Sequence, residues 1–152
     1  MDTTDRKILN LLQTDASLTV KQIADQIALS VTPCWKRIQK LEAQGFIRAR
    51  VALLDPDKVN ASVTVFVAIK TDQHTAEWIE RFSQSVSDMP EVMEIYRMSG
   101  EIDYLLRVVV SSIEAYDHFY KNLVDRIELS NVTSSFAMEQ MKYTTALPIN
   151  VD

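Results

Sequence analysis

Between Ser30 and Gly45 the chain reads SVTPCWKRIQKLEAQG, and no other run constrains the fold as tightly. Ser30 suits an N-cap, and Pro33 is tolerated only where first-turn N–H groups have no partner inside a helix, so a helix begins within a residue or two of Ser30. Val31, Cys34, Ile38 and Leu41 recur at helical spacing as a buried stripe, and Gly45 supplies the left-handed conformation that stops the helix. Thr32, Lys36, Arg37, Gln39 and Lys40 then face outward. A short helix with a narrow apolar stripe, a basic outer face and small polar residues at its start has the form of a major-groove reading helix. Ser30, Thr32, Pro33, Lys36, Arg37, Gln39 and Lys40 are therefore candidate DNA contacts. The same charges also fit an ordinary solvated helix face, so the helix by itself leaves both readings open.

The preceding residues favour DNA. Thr19-Val-Lys-Gln22 is a capping box opening a short helix with Val20, Ile23, Ala24 and Ile27 on its apolar side. A tight turn through Ala28-Leu29 delivers the chain to Ser30, giving helix, short turn and second helix. An earlier helix from Thr4 to Leu12 brings Ile8, Leu11 and Leu12 to a three-helix core. After Gly45, Phe46 to Leu54 has the β-branched alternation of a strand, with Arg48 and Arg50 on one side. These two arginines are either wing residues on phosphate or the solvent face of that strand.

A net charge of -5 argues at first against nucleic acid, which needs phosphates neutralised. The distribution reverses the argument. Residues 1 to 50 hold eight Lys/Arg against five Asp/Glu, and residues 51 to 152 hold eight against sixteen, so a basic head precedes an acidic body. Asp55-Pro-Asp-Lys58 is a turn sequence and the one clear boundary, dividing the chain into residues 1–54, a hinge at 55–60 and a second domain at 61–152.

Beyond the hinge the order is strand, helix, strand, strand, helix, strand: Ala61–Thr71, Thr75–Ser87, Glu91–Met98, Tyr104–Val110, Ser112–Arg126 and Val132–Met141. The fold class is α+β, a helix-turn-helix domain followed by a ferredoxin-like βαββαβ unit with both helices on one sheet face. The first and fourth of these strand and helix runs carry apolar residues on both alternating sets. An uncovered apolar sheet face of that size marks an interface, and a second copy of the chain is the expected cover.

Three runs together resemble the leucine-responsive/AsnC family of transcriptional regulators. They are Thr4-Asp-Arg-Lys-Ile-Leu9, Leu29 to Ile47, and Ser99-Gly-Glu-x-Asp-Tyr-Leu-Leu106. Within the family, Thr32 to Arg37, Val51 to Pro56 and Val132 to Glu139 are most similar to the branch that regulates cysteine degradation and detoxification. The resemblance implies a regulator that binds double-stranded operator DNA, responds to cysteine or another small amino acid, and assembles from homodimers into an octamer. It also implies an effector site at Gly100, Asp103 and Tyr104, with Glu101 in the same turn and the strand bearing Ser134, Ser135 and Phe136 from a neighbouring subunit as a second wall. Arg97 and the Ser134-Ser135 pair depart from the leucine-responsive members and make the pocket more polar.

From residue chemistry alone, Asp103 could hold an ammonium group and the backbone N–H groups near Gly100 a carboxylate, or Asp103 could simply cap a polar hairpin. Cys34 is either a small buried residue or a thiol lowered by Lys36 and Arg37. Trp35, at the margin of the stripe, is expected to pack inward. His74 and His118 have no ligand spacing, no phosphate loop or activated nucleophile is present, and a lone cysteine excludes an intrachain disulfide, so no metal, cofactor or catalytic residue is expected. With no membrane span or signal peptide, the chain is expected to be cytoplasmic. The rival readings are a DNA-architectural protein without effector and a small ferredoxin-like enzyme.

Overall fold

The computed structural model describes residues 1–150. It contains α1 (Thr3–Thr14), α2 (Val20–Gln26), α3 (Val31–Ala43), β1 (Val63–Lys70), α4 (Ala76–Ser87), β2 (Val92–Arg97), β3 (Tyr104–Val110), α5 (Ile113–Arg126) and β4 (Asn131–Phe136). The chain forms two compact units, Leu54–Gln140 and, discontinuously, Met1–Leu53 with the stretch beginning at Met141. The break between Leu53 and Leu54 lies just before the Asp55–Lys58 turn sequence. The return of the chain after Gln140 departs from the expectation that 61–152 belongs together.

In the helical unit, each helix start has its own device. Asp2 and Asp5 form a reciprocal capping box on α1, and Thr19 and Gln22 form the one expected on α2. Ser30 occupies the N-cap position of α3, but its hydroxyl makes no capping bond. At the other end of α3, Gly45 adopts φ 76°. Its N–H donates to the Glu42 carbonyl and the Phe46 N–H to the Leu41 carbonyl, the two bonds of a Schellman stop. Ile8, Leu9, Leu12, Ile23, Ala24, Cys34, Ile38 and Leu41 make the core. Val31 is a correction, since it is 47% exposed at the first turn, where α3 has not yet reached its neighbours.

Phe46 to Leu54 forms no strand. Its residues have strand propensity, but a strand exists only as a ladder, and this segment pairs with no other strand among the described residues. Residues 144–150 instead lie against the helical unit. Gln13 donates from Nε2 to the Leu147 carbonyl at 2.9 Å and accepts from the Leu147 N–H at 2.8 Å. Asn10 reaches the Ile149 carbonyl and Arg6 the Asn150 carbonyl, so side chains three and four apart on α1 hold an extended strap by its backbone. Ile149 packs on the core.

The second unit is an antiparallel sheet in the order β2-β3-β1-β4, the ferredoxin-like arrangement expected from the βαββαβ pattern. Val65, Val67, Ile69, Leu106 and Val108 are fully buried, together with Trp78, Phe82 and Val86 of α4 and Tyr116, Phe119 and Leu123 of α5. Ile113 and Val124 of α5 are 72% and 37% exposed, because the buried stripe of the helix is narrower than their phase requires. The strand expected to reach Met141 ends at Phe136. The alternating set on the opposite sheet face, including Thr64, Phe66, Ala68, Leu105, Arg107 and Val109, is only partly covered or exposed.

Candidate functional site

Two groups of residues carry the chemistry, one in each unit. On α3, about 100° of rotation per residue places Thr32, Lys36, Gln39 and Lys40 opposite Cys34, Ile38 and Leu41, and all four are exposed. Ser30 and Pro33 are exposed at the helix start. Among the described residues neither Lys36 nor Lys40 has a carboxylate partner within salt-bridge distance. Trp35 is 50% exposed, contrary to the inward packing expected of it; at the edge of the stripe its indole lies over the surface.

The other basic residues differ in their engagement. Arg48 is exposed. Arg50 pairs with Glu42 at 2.8 Å, and Gln39 donates to the same carboxylate at 3.1 Å, which joins the segment after α3 to the end of that helix. Arg37 does not point outward with Lys36; its guanidinium pairs with Asp2 and Asp5 of α1, each at 2.7 Å. Cys34 is fully buried and burial raises its thiol above the ordinary value, which makes it a packing residue rather than a reactive thiolate.

In the sheet unit, Gly100 has φ 132° in the turn between β2 and β3, a conformation that glycine adopts without strain. Asp103 is anchored by three bonds. Its carboxylate accepts from the Thr71 N–H at 2.8 Å, its N–H donates to the Ile69 carbonyl and its carbonyl accepts from the Met98 N–H. One carboxylate oxygen thus holds the loop after β1, while the other has no hydrogen bond within this unit. Glu101 is exposed on the turn.

Tyr104 stands apart from that turn. Its ring is 5% exposed and lies 4.5 Å, centroid to centroid, from Phe82, so it belongs to the core rather than to a ligand wall. Arg97 pairs across the ladder with Tyr104 and therefore shares its face. There it lines an open groove of about 550 Å³ between α4 and edge strand β2, with Ile79, Ser83, Val92 and Ile95. On β4, Ser134 bonds to the Tyr116 hydroxyl and Phe136 meets the Tyr116 ring edge-on at 5.1 Å, both on the helix side. Burial raises the Tyr116 phenol, partly offset by the Ser134 bond. Ser135 is opposite Phe66 on the uncovered face. Within one chain, then, Gly100 and Asp103 come together, while Arg97, Tyr104 and the β4 residues lie elsewhere.

A helix-turn-helix unit with a free basic face, joined to a ferredoxin-like unit with a polar hairpin turn and an uncovered sheet face, is the architecture of a one-component DNA-binding regulator. Residues 1–48 match the winged helix-turn-helix DNA-binding model and residues 64–147 the Lrp/AsnC ligand-binding domain model. The chain belongs to the Lrp/AsnC family of DNA-binding transcriptional regulators. It is 53% identical over 150 residues to the DNA-binding transcriptional activator DecR of Escherichia coli K12, covering 98% of this chain and 99% of that one. An AsnC family regulator from Agrobacterium tumefaciens superposes with a TM-score of 0.95 at 61% identity, covering 97% of each chain. A Neisseria meningitidis regulator, solved as a complex with L-Met, superposes with a TM-score of 0.93 at 35% identity, over 99% of this chain and 97% of that one.

Proposed function

We propose that this regulator reads a double-stranded operator through Thr32, Lys36, Gln39 and Lys40, with Ser30, Pro33, Trp35 and Arg48 beside them, and that a small amino acid bound near the Gly100–Asp103 turn modulates that binding. The observation that carries the DNA half is the pair of unpartnered ammonium groups on the exposed face of α3. Phosphate contacts by such groups release counterions, so binding should weaken steeply with salt. Arg50, tied to Glu42, serves better to position the chain after α3 than to meet phosphate.

For the effector half, the Asp103 oxygen left over from the Thr71 bond would take an ammonium group, and the backbone near Gly100 a carboxylate. Cysteine is our choice among small amino acids, on the similarity to the cysteine-degradation branch; L-Met in the Neisseria complex is likewise a sulfur-bearing amino acid. Ser135 with Phe66 and Arg107 lies on the open sheet face. That face is our choice for a homodimer contact, with dimers building an octamer in which β4 of a neighbour closes the site. The opposite face, which bears Val65, Val67 and Val108, does not serve this role, because α4 and α5 cover it. We assign no catalytic activity and a cytoplasmic location; among the described residues no helix is long and apolar enough to cross a membrane.

The test is a thermal-shift screen against the free amino acids, followed by calorimetry, since a ligand of the native state raises its apparent stability. Cysteine should raise the melting temperature, and Asp103→Ala should abolish that rise while operator binding persists. Unchanged calorimetric affinity in Asp103→Ala would remove the turn as the site; binding of another amino acid but not cysteine would remove cysteine alone.

A further inference from the structure

Arg37 is the one basic residue of α3 committed to another helix. It is a single step past Lys36, and about 100° of rotation carries it from the outward face to the flank beside Leu41 and α1. Its Nη1 donates to Asp2 Oδ2 and Asp5 Oδ1, both at 2.7 Å. The remaining oxygens of the same carboxylates form the capping box: Asp2 Oδ1 accepts from the Asp5 N–H at 2.8 Å and Asp5 Oδ2 from the Asp2 N–H at 3.1 Å. All four carboxylate oxygens are thereby used, two on the first turn of α1 and two on α3. The Asp5 side chain is 12% exposed, so the contact is partly shielded from solvent.

We propose that Arg37 is a positioning residue that latches α3 to the start of α1, and that Asp2 and Asp5 are in consequence determinants of operator affinity. One guanidinium between two carboxylates leaves a cluster of net charge -1, which repels rather than attracts phosphate. The latch instead fixes the roll of α3 about its axis, which decides whether Thr32, Lys36, Gln39 and Lys40 meet the groove together. The first-turn bond at Asp2, and then Arg37, hold the Asp2 carboxyl below its usual range. This inference rests on α3 being the helix that meets DNA.

The sign of the Asp5 effect makes the idea testable. Simple electrostatics says that removing an acid from a DNA-binding domain tightens binding; the latch says that it weakens it. Binding of Asp5→Asn, Arg37→Gln, Arg37→Lys and Lys36→Ala/Lys40→Ala variants should be titrated by fluorescence anisotropy. The probes are a duplex selected in vitro by the wild-type protein and a scrambled duplex of equal length, across a salt series. Asp5→Asn and Arg37→Gln should each lose ~10-fold in affinity for the selected duplex, the size of a coupled polar contact, with affinity for the scrambled duplex and the salt slope retained. Arg37→Lys keeps a charge able to meet phosphate but reproduces the two-carboxylate geometry poorly, so it should resemble Arg37→Gln. The double lysine variant should lower the slope by about two.

A slope lowered by about one in Arg37→Gln, restored in Arg37→Lys, would overturn the latch, as would tighter binding by Asp5→Asn. An unaltered slope in the double lysine variant would instead overturn α3 as the DNA-contact helix. If Arg37→Gln fails to fold, Asp5→Asn, which keeps the side-chain volume, decides the matter by its sign.

Discussion

The two units hold themselves together differently. In the sheet unit fifteen buried apolar residues, five of them aromatic, form one core, and the register of four strands fixes every position. In the helical unit only eight apolar residues among those described are buried, and helix positions depend on polar devices at the edges: two capping boxes, the Arg37 cluster, the Arg50–Glu42 pair and the strap. A small core buries too little surface to define helix orientations by packing alone. Geometry in the helical unit is accordingly set in large part by hydrogen bonds and charge.

The largest effect expected from this contrast is in the sheet unit. Phe82 is 1% exposed and in ring contact with Trp78 and Tyr104, so Phe82→Ala should cost ~3–5 kcal/mol. Urea unfolding followed through Trp78 fluorescence, in a Trp35→Phe background, measures it. A loss under about 1 kcal/mol, the scale of an ordinary surface or edge contact, would erase the distinction between the units.

A smaller effect is expected at the strap. Gln13→Ala removes both bonds to Leu147, and as exposed hydrogen bonds they contribute together ~1 kcal/mol. Hydrogen exchange at the Leu147 amide should accelerate to the rate of an unprotected peptide, while amides of α3 remain protected. Persistent protection at Leu147 would show that apolar contacts, not the carboxamide, hold the strap.

The smallest effect concerns the open sheet face. The Arg107 bond, against the opposing effect of burial, and then the Tyr96 hydroxyl hold the Glu94 carboxyl below its usual range. A group depressed in the folded state stabilises it above its unfolded pKa and loses that contribution as pH falls through the folded one. The parent should therefore lose stability on acidification below the ordinary glutamate range slightly more steeply than Glu94→Gln. Superimposable acid limbs in melting curves would show that this pair adds nothing.

Much of this architecture is legible in the sequence because periodicity and caps report local geometry. Thr19 and Gln22 announce α2, Gly45 ends α3, and the alternation of β1 and β3 identifies strands. The misses fall where a neighbour decides. Helical phase places Arg37 beside the stripe but cannot tell that Asp2 and Asp5 wait there. Trp35 and Val31 sit at the margins of the stripe, where burial depends on how near the adjacent helix comes. Phe46–Leu54 has the composition of a strand without a ladder partner, and the strap, read through its backbone by Gln13, carries no periodic signal. At the hairpin between β2 and β3 the sequence marks Gly100 as a turn residue, whereas the inward orientation of Tyr104 depends on the register with Arg97.

The strap also sets an order of events during synthesis. Residues 1–53 leave the ribosome first and can form their three helices early, yet Leu147 and Ile149 belong to the same unit and emerge only after the whole sheet unit. Until then Leu9 and Leu12 line a groove that lacks one wall. The DNA-binding head is thus begun first and completed last, and a nascent chain halted within the sheet unit carries α3 without the segment that closes its own domain.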